Sequence, residues 1–159
     1  MADVDAVERT EIRYARPGEG ERLREIAFEA KAHWGYDRAW VAAWVARGDF
    51  SAEALAANET FVAVVDGDVV GWAMLVPRGD IGWLEDMWID PPWIGRGIGR
   101  RLFDRIASRA RELRLRRLEW EAEPNAIGFY EKMGGRYVRD SEMNEWGRVL
   151  QIMGCDLDR

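Results

Sequence analysis

The stretch WIDPPWIGRGIGRRLF, residues 88–103, constrains this chain more than any other. An apolar segment, residues 80–90, reads as a strand and is halted by Pro91 and Pro92, which cannot donate to a ladder. Three glycines then stand at alternate positions, Gly95, Gly97 and Gly99. After them Ile98, Leu102, Phe103, Ile106, Ala110 and Leu113 recur with the period of a helix packed on one face, over residues 98–114. A glycine-rich turn feeding a helix start exposes backbone N–H groups with no side chains before them, and the helix dipole adds positive character there. The expected result is a cradle for a phosphate group. No Gly-Lys-Ser/Thr follows, which excludes the P-loop pattern, and a late strand is the wrong place for the usual dinucleotide fingerprint. A merely structural tight turn is the competing reading.

The rest of the chain supplies the layers such a loop needs. Residues 10–16 alternate as a strand. A helix follows with Leu23, Ile26, Ala27 and Ala30 on its apolar face, then a second with Trp40, Val41, Trp44 and Val45. Residues 59–77 read as two strands around Asp66-Gly67, a two-residue turn that needs positive φ. Residues 116–123 form a strand, 124–135 a short helix from Pro124 to Gly134-Gly135, and 136–141 and 148–157 the last two strands. This order predicts a mixed α/β domain with a right-handed parallel crossover between residues 81 and 122.

Composition narrows the function. At 159 residues the chain has room for one sizeable core. A net charge of −6 argues against general nucleic-acid binding. The arginines crowd between Arg96 and Arg117. Most read as a solvated helix face, while Arg96, Arg100 and Arg101 fit an anion site beside the glycines. No apolar run reaches the roughly 18 residues of a membrane span, and the acidic MADVDAVERT is no signal peptide, so a cytoplasmic, membrane-independent protein is expected. One cysteine and one histidine exclude an internal disulfide and make a metal site unexpected.

At LEDMWIDPPWIGRGIGRRLF followed by EAEPNAIGFYEKMGGR, the chain resembles the Gcn5-related N-acetyltransferase (GNAT) family. The resemblance runs over residues 10–157 and is strongest over 84–136. KAHWGYD (31–37) is similar to a stretch in bacterial small-acceptor members. The family usually carries Gln or Arg where this chain has Ile94, which removes one side chain but not the backbone cradle. The resemblance implies a mixed α+β fold. Its central, mostly antiparallel sheet would hold one splayed parallel pair, flanked by about four helices, in a single domain (1–159) with residues 1–9 a flexible segment. It implies acetyl-CoA as cofactor, with its pyrophosphate on Gly95, Arg96, Gly97, Ile98, Gly99 and Arg100. The pantetheine arm would lie along Met87, Trp88 and Ile89 like an added strand, beside Asn125 and Phe129.

Acetyl transfer to an amine requires that the ammonium lose a proton and the departing thiolate gain one. By resemblance Glu85 is the candidate base and Tyr130 the candidate acid, and His33, Trp34 and Tyr36 line the acceptor site. Alternation sends Asp86 to the face opposite Glu85. Cys155 reads as a core residue rather than an acyl-bearing nucleophile. Trp40, Trp44, Trp72 and Trp120 likewise fit core positions better than a cation cage. The leading expectation is N-acetylation of a small or amino-acid-like amine by direct attack in a ternary complex, with a homodimer as the family habit. A protein N-terminal or lysine acetyltransferase, and a catalytically idle acyl-CoA sensor, stay open on the same fold.

Overall fold

Seven strands form where apolar and β-branched residues cluster. In the computed structural model, which describes residues 8–157, they are β1 (Glu11–Tyr14), β2 (Glu59–Val65), β3 (Asp68–Arg78), β4 (Ile81–Ile89), β5 (Arg117–Ala122), β6 (Arg136–Asp140) and β7 (Gln151–Asp156). The helices are α1 (Gly20–His33), α2 (Arg38–Val45), α3 (Ala52–Ala57), α4 (Ile98–Glu112) and α5 (Ile127–Lys132). The strands lie in the order β1-β2-β3-β4-β5-β7-β6. The sheet is mostly antiparallel, and β4 and β5 are its parallel pair.

The chain divides into two compact units, one running up to Met74 and taking in Asp86–Arg105, the other comprising Leu75–Glu85 and the chain from Ile106. In the first unit β1 pairs antiparallel with β2, Ile12 opposite Ala63. The turn to β3 is made by Asp66 at φ 48° and Gly67 at φ 87°. Two successive positive values define the turn whose twist suits a hairpin, and only glycine takes the second freely. Arg9 grips Asp66 with both guanidinium arms, at 3.0 and 2.8 Å. The rest of the segment expected to be flexible, residues 1–7, lies outside the described residues. Leu23 and Ile26 of α1, Val41 of α2 and Phe61 of β2 are fully buried, each stabilising by roughly 1.5–3 kcal/mol over exposure. The indole N–H of buried Trp72 donates to the carbonyl of Leu23 at 3.0 Å, so this ring meets its polar requirement inside the core.

In the second unit β5 pairs antiparallel with β7 along its whole length, and β7 with β6 through an irregularity between Tyr137 and Arg139. The parallel β4–β5 ladder runs from Ile81↔Arg117 to Trp83↔Glu119, while the strands run on to Ile89 and Ala122. Leu118, Trp120 and Met153 form the core with Ile106 and Ala110 of α4.

Some local readings shift. The second helix ends at Val45, and Ser51, accepting from the Ala54 N–H at 3.1 Å, starts the unexpected α3. Residues 148–150 stay outside the last strand: the Asn144 side chain accepts from the Trp146 and Arg148 N–H groups in a local turn, and the Ser141 hydroxyl accepts from the Leu150 N–H at 2.9 Å. Trp72 and Trp120 are core, but Trp40 and Trp44 are only half-buried, and so is Cys155. Among the described residues no helix is long and apolar enough to cross a membrane.

Candidate active site

The glycine loop is built from its anchor outward. Asp90, the residue after β4, sets its N–H on the Val70 carbonyl at 2.9 Å. Its carboxylate accepts from Arg22 of α1, also at 2.9 Å. Pro91, Pro92 and Trp93 make one tight turn, closed by the Trp93 N–H on the Asp90 carbonyl. Gly95 and Gly97 then take φ of 80° and 88°, a region costly to residues with a Cβ. A Cβ on Gly95 would meet nothing within 4 Å, so conformation rather than crowding demands glycine there, and the loop's outer side is open. Gly97 accepts the first helical bond, from the Arg101 N–H at 3.2 Å. The N–H groups of Ile98, Gly99 and Arg100 therefore belong to the first turn, which has no intrahelical acceptor. Gly99 is helical, so two of the three glycines shape the turn and the third opens the helix. That first turn contains no acid. Arg100 and Arg101 are exposed within it, against the preference of a helix dipole, and Arg96 lies 4.9 Å over the Trp93 ring. An anion at this end satisfies the N–H groups, the dipole and the arginines together, so the loop fits the pyrophosphate of a CoA ester.

Along β4 the faces alternate. Trp88 turns toward α2, its ring edge-to-face with Trp44 at 5.2 Å. Its indole N–H donates to Asp86 Oδ1 at 3.0 Å, which puts Asp86 on the same face. Ile89 turns the other way. Its Cδ1 and that of Leu102 on α4 lie 3.0 and 3.2 Å from where a Cβ on Gly71 would stand. Glu85 and Met87 share the parity of Ile89. Glu85 is exposed, 3.5 Å from the Arg78 guanidinium; Met87 is half-buried.

In the second unit Tyr130 of α5 is 7% exposed, its ring 5.0 Å from Trp120 and 5.2 Å from the half-buried Phe129. Asn125 caps nothing; its amide donates to Glu123 Oε1 at 3.0 Å. Burial pushes the Cys155 thiol above its ordinary pKa, which keeps it protonated and a poor nucleophile at neutral pH.

Between α1 and α2 the exposed His33 stands edge-on to Trp34 at 5.1 Å, and Gly35 at φ 91° turns the chain toward α2. The Asp37 carboxylate starts α2 by accepting from the Ala39 and Trp40 N–H groups. Tyr36 is carried 5.2 Å from Trp40. Sequence reasoning missed Lys31, whose ammonium lies 4.8–5.9 Å from the Tyr36, Trp40, Trp44 and Trp88 ring centres. The signal available was the four-residue spacing of Tyr36, Trp40 and Trp44, which runs from the turn before α2 onto one stripe of it.

Residues 20–135 match the model of the acetyltransferase (GNAT) family. The chain belongs to that family. GNAT enzymes use acetyl-CoA. No curated protein matches the chain in sequence. Among solved structures the chain is similar to the PaiA N-acetyltransferase of Thermoplasma acidophilum in complex with coenzyme A, at 20% identity and TM-score 0.76, over 92% of this chain and 98% of that one. It is similar to the ribosomal-protein-S18-alanine N-acetyltransferase of Escherichia coli at 18% identity and TM-score 0.69, over 94% and 95%. YncA of Salmonella typhimurium with its cofactor acetyl-CoA matches at 22% and 0.69, again over 94% and 95%. These likenesses establish the GNAT fold.

Proposed function

We propose that this GNAT protein is an N-acetyltransferase that moves the acetyl group of acetyl-CoA to a primary amine of a small, amino-acid-like acceptor. The reaction is a direct attack in a ternary complex, within one acetyltransferase domain. The observation that carries the reading is the loop itself: left-handed Gly95 and Gly97 opening a helix whose first turn holds arginines and no acid. Backbone N–H groups of residues 95–100 hold the pyrophosphate, with Arg96 and Arg100 beside it. The backbone of Met87, Trp88 and Ile89 takes the pantetheine arm, flanked by Asn125 and Phe129. When bound, acetyl-CoA supplies an acyl group activated as a thioester.

The protein's own residues then manage protons and position. Alkyl ammonium ions, with pKa near about 10, are almost wholly protonated at neutral pH, so the acceptor must lose a proton before it attacks. Glu85, reaching the amine through water, takes that proton, and the Tyr130 hydroxyl gives one to the leaving sulfur. His33, Trp34 and Tyr36 line the acceptor. The raised pKa of the Cys155 thiol speaks for direct attack over an acyl-cysteine route.

The test is CoA-thiol release from acetyl-CoA across a panel of small amines, amino acids and N-terminal peptides, with calorimetry of acetyl-CoA binding alongside. Turnover of small amines with idle peptides is expected. Turnover of peptides alone would give the protein-acetyltransferase reading, and tight binding with no turnover the sensor reading.

A further inference from the structure

Residues 91–99, between Asp90 and Arg100, carry a single charged side chain, that of Arg96. Its backbone is fixed on both sides, by Gly95 at φ 80° and Gly97 at φ 88°. Its side chain is half-buried, with the guanidinium carbon 4.9 Å from the centre of the half-buried Trp93 ring. Among the described residues that ring is its contact: Arg96 has no ion pair and no side-chain hydrogen bond there. Trp93 is itself held in place. Its N–H donates to the Asp90 carbonyl at 2.8 Å, and the next N–H, of Ile94, donates to the Pro91 carbonyl at 3.2 Å. The two prolines before it lock their own φ. Asp90 is bonded in turn to Arg22 of α1 and to Val70 of β3. The ring therefore stands on helix and strand rather than on the glycines that follow it.

The kind of partner matters. A carboxylate at the place of the ring would also hold Arg96, but it would cancel the charge and take up N–H groups. An aromatic face attracts a cation through its quadrupole and leaves the charge and all five guanidinium N–H groups to a ligand. An arginine free on a loop gives up rotamer freedom when a ligand immobilises it, and one already laid on a ring gives up less.

We infer that Trp93 is a positioning residue of the cofactor loop: its ring holds the Arg96 guanidinium in place, charged and with its donors unused, for the phosphates of acetyl-CoA. The inference rests on the proposed reading that residues 95–100 hold the pyrophosphate. Trp93 acts through Arg96 and not on the cofactor itself.

The experiment is a double-mutant cycle on the full chain, read by calorimetry of acetyl-CoA binding with thermal melts alongside. The proteins are the parent, W93L, W93F, R96A and the double variant W93L/R96A. R96A should bind about tenfold more weakly, the loss of a charge-assisted contact. W93L, which keeps an apolar bulk and loses the aromatic face, should bind about threefold more weakly. W93F should stay close to the parent, and W93L should cost nothing further once Arg96 is gone. A purely structural role would lower melting temperature and affinity equally on both backgrounds, so a loss from W93L that persists in R96A overturns the inference. Parent-like affinity in W93L overturns it too, and tighter binding would mean that the ring holds Arg96 away from the cofactor. Should W93L not fold, W93M takes its place in the cycle. If R96A binds like the parent the inference falls, and G97E tells whether the loop falls with it. Weakened binding in G97E keeps the pyrophosphate at the loop, and unchanged binding removes it. A parent that binds no acetyl-CoA overturns both readings.

Discussion

Arg22 donates to the Asp90 carboxylate at 2.9 Å and, through its Nε, to the Val69 carbonyl at 3.0 Å. One guanidinium on the first helix thus holds both the root of the glycine loop and the strand beside it. Asp90→Ala should cost about 1–2 kcal/mol, because the pair is partly buried and the bonds are charge-assisted. That corresponds to a melting temperature lower by about 2–8 °C for a chain of this size. Acetyl-CoA affinity should weaken several-fold. Thermal melts and calorimetry on one preparation check both. Lower stability with unchanged affinity would mean that Asp90 supports the fold but not the loop.

Gly97→Glu should raise the acetyl-CoA dissociation constant at least tenfold, about 1.4 kcal/mol. It places a carboxylate at the cradle and forces a Cβ into φ 88°. Gly95→Ala supplies the control. It meets backbone strain alone, since nothing lies within 4 Å of the added carbon, and should cost about 1–2 kcal/mol of stability with a smaller loss of affinity. Equal affinity in folded Gly97→Glu would remove the phosphate from this loop.

Tyr130→Phe keeps the ring that packs on Trp120 and loses only the hydroxyl. It should lower kcat on the order of tenfold to a hundredfold while leaving acetyl-CoA binding intact. Glu85→Gln should lower kcat most at low pH and recover as pH rises, because bulk base then supplies free amine. A pH–rate profile with one good acceptor reads both variants. A profile for Glu85→Gln that overlays the parent would leave water to take the proton.

Glu19 gives a stability signature in acid. The Arg13 guanidinium, bonding its carboxylate at 2.8 Å, holds the Glu19 pKa below the ordinary carboxylate value, with help from the Arg16 backbone N–H. A depressed folded-state pKa stabilises above the unfolded value of about 4.3, and that stability is lost as pH falls through the folded one. The parent should therefore melt above Glu19→Gln at neutral pH, and the two curves should converge below about pH 4. Melting temperature against pH is the measurement. A constant gap down to the lowest pH would show that the Arg13 pair contributes through packing rather than charge.

What could be read in advance followed from local physics. Gly95 and Gly97 announced themselves because the loop needs φ values that other residues resist, and the Asp66-Gly67 turn did so for the same reason. The six residues of α3 escaped because an alanine-rich helix that short shows no period; only its Ser51 cap marks it. The tryptophans misled in a different way. Apolar rings at helical spacing are usually core, so Trp40 and Trp44 read like Trp72 and Trp120. What sets them apart is Lys31 from one neighbouring helix and Trp88 from a strand more than forty residues on, a convergence through space that no linear pattern carries.

The acid-free first turn of α4 has a kinetic consequence. The chain as a whole, at −6, repels a polyphosphate at a distance, while Arg96, Arg100 and Arg101 attract it at close range. Dissolved ions mute the two unequally: at a Debye length of about 8 Å the far repulsion fades before the near attraction does. Capture of the cofactor should accordingly quicken with the first additions of salt and slow again only when screening reaches the loop itself, so that ionic strength has an optimum rather than a single trend.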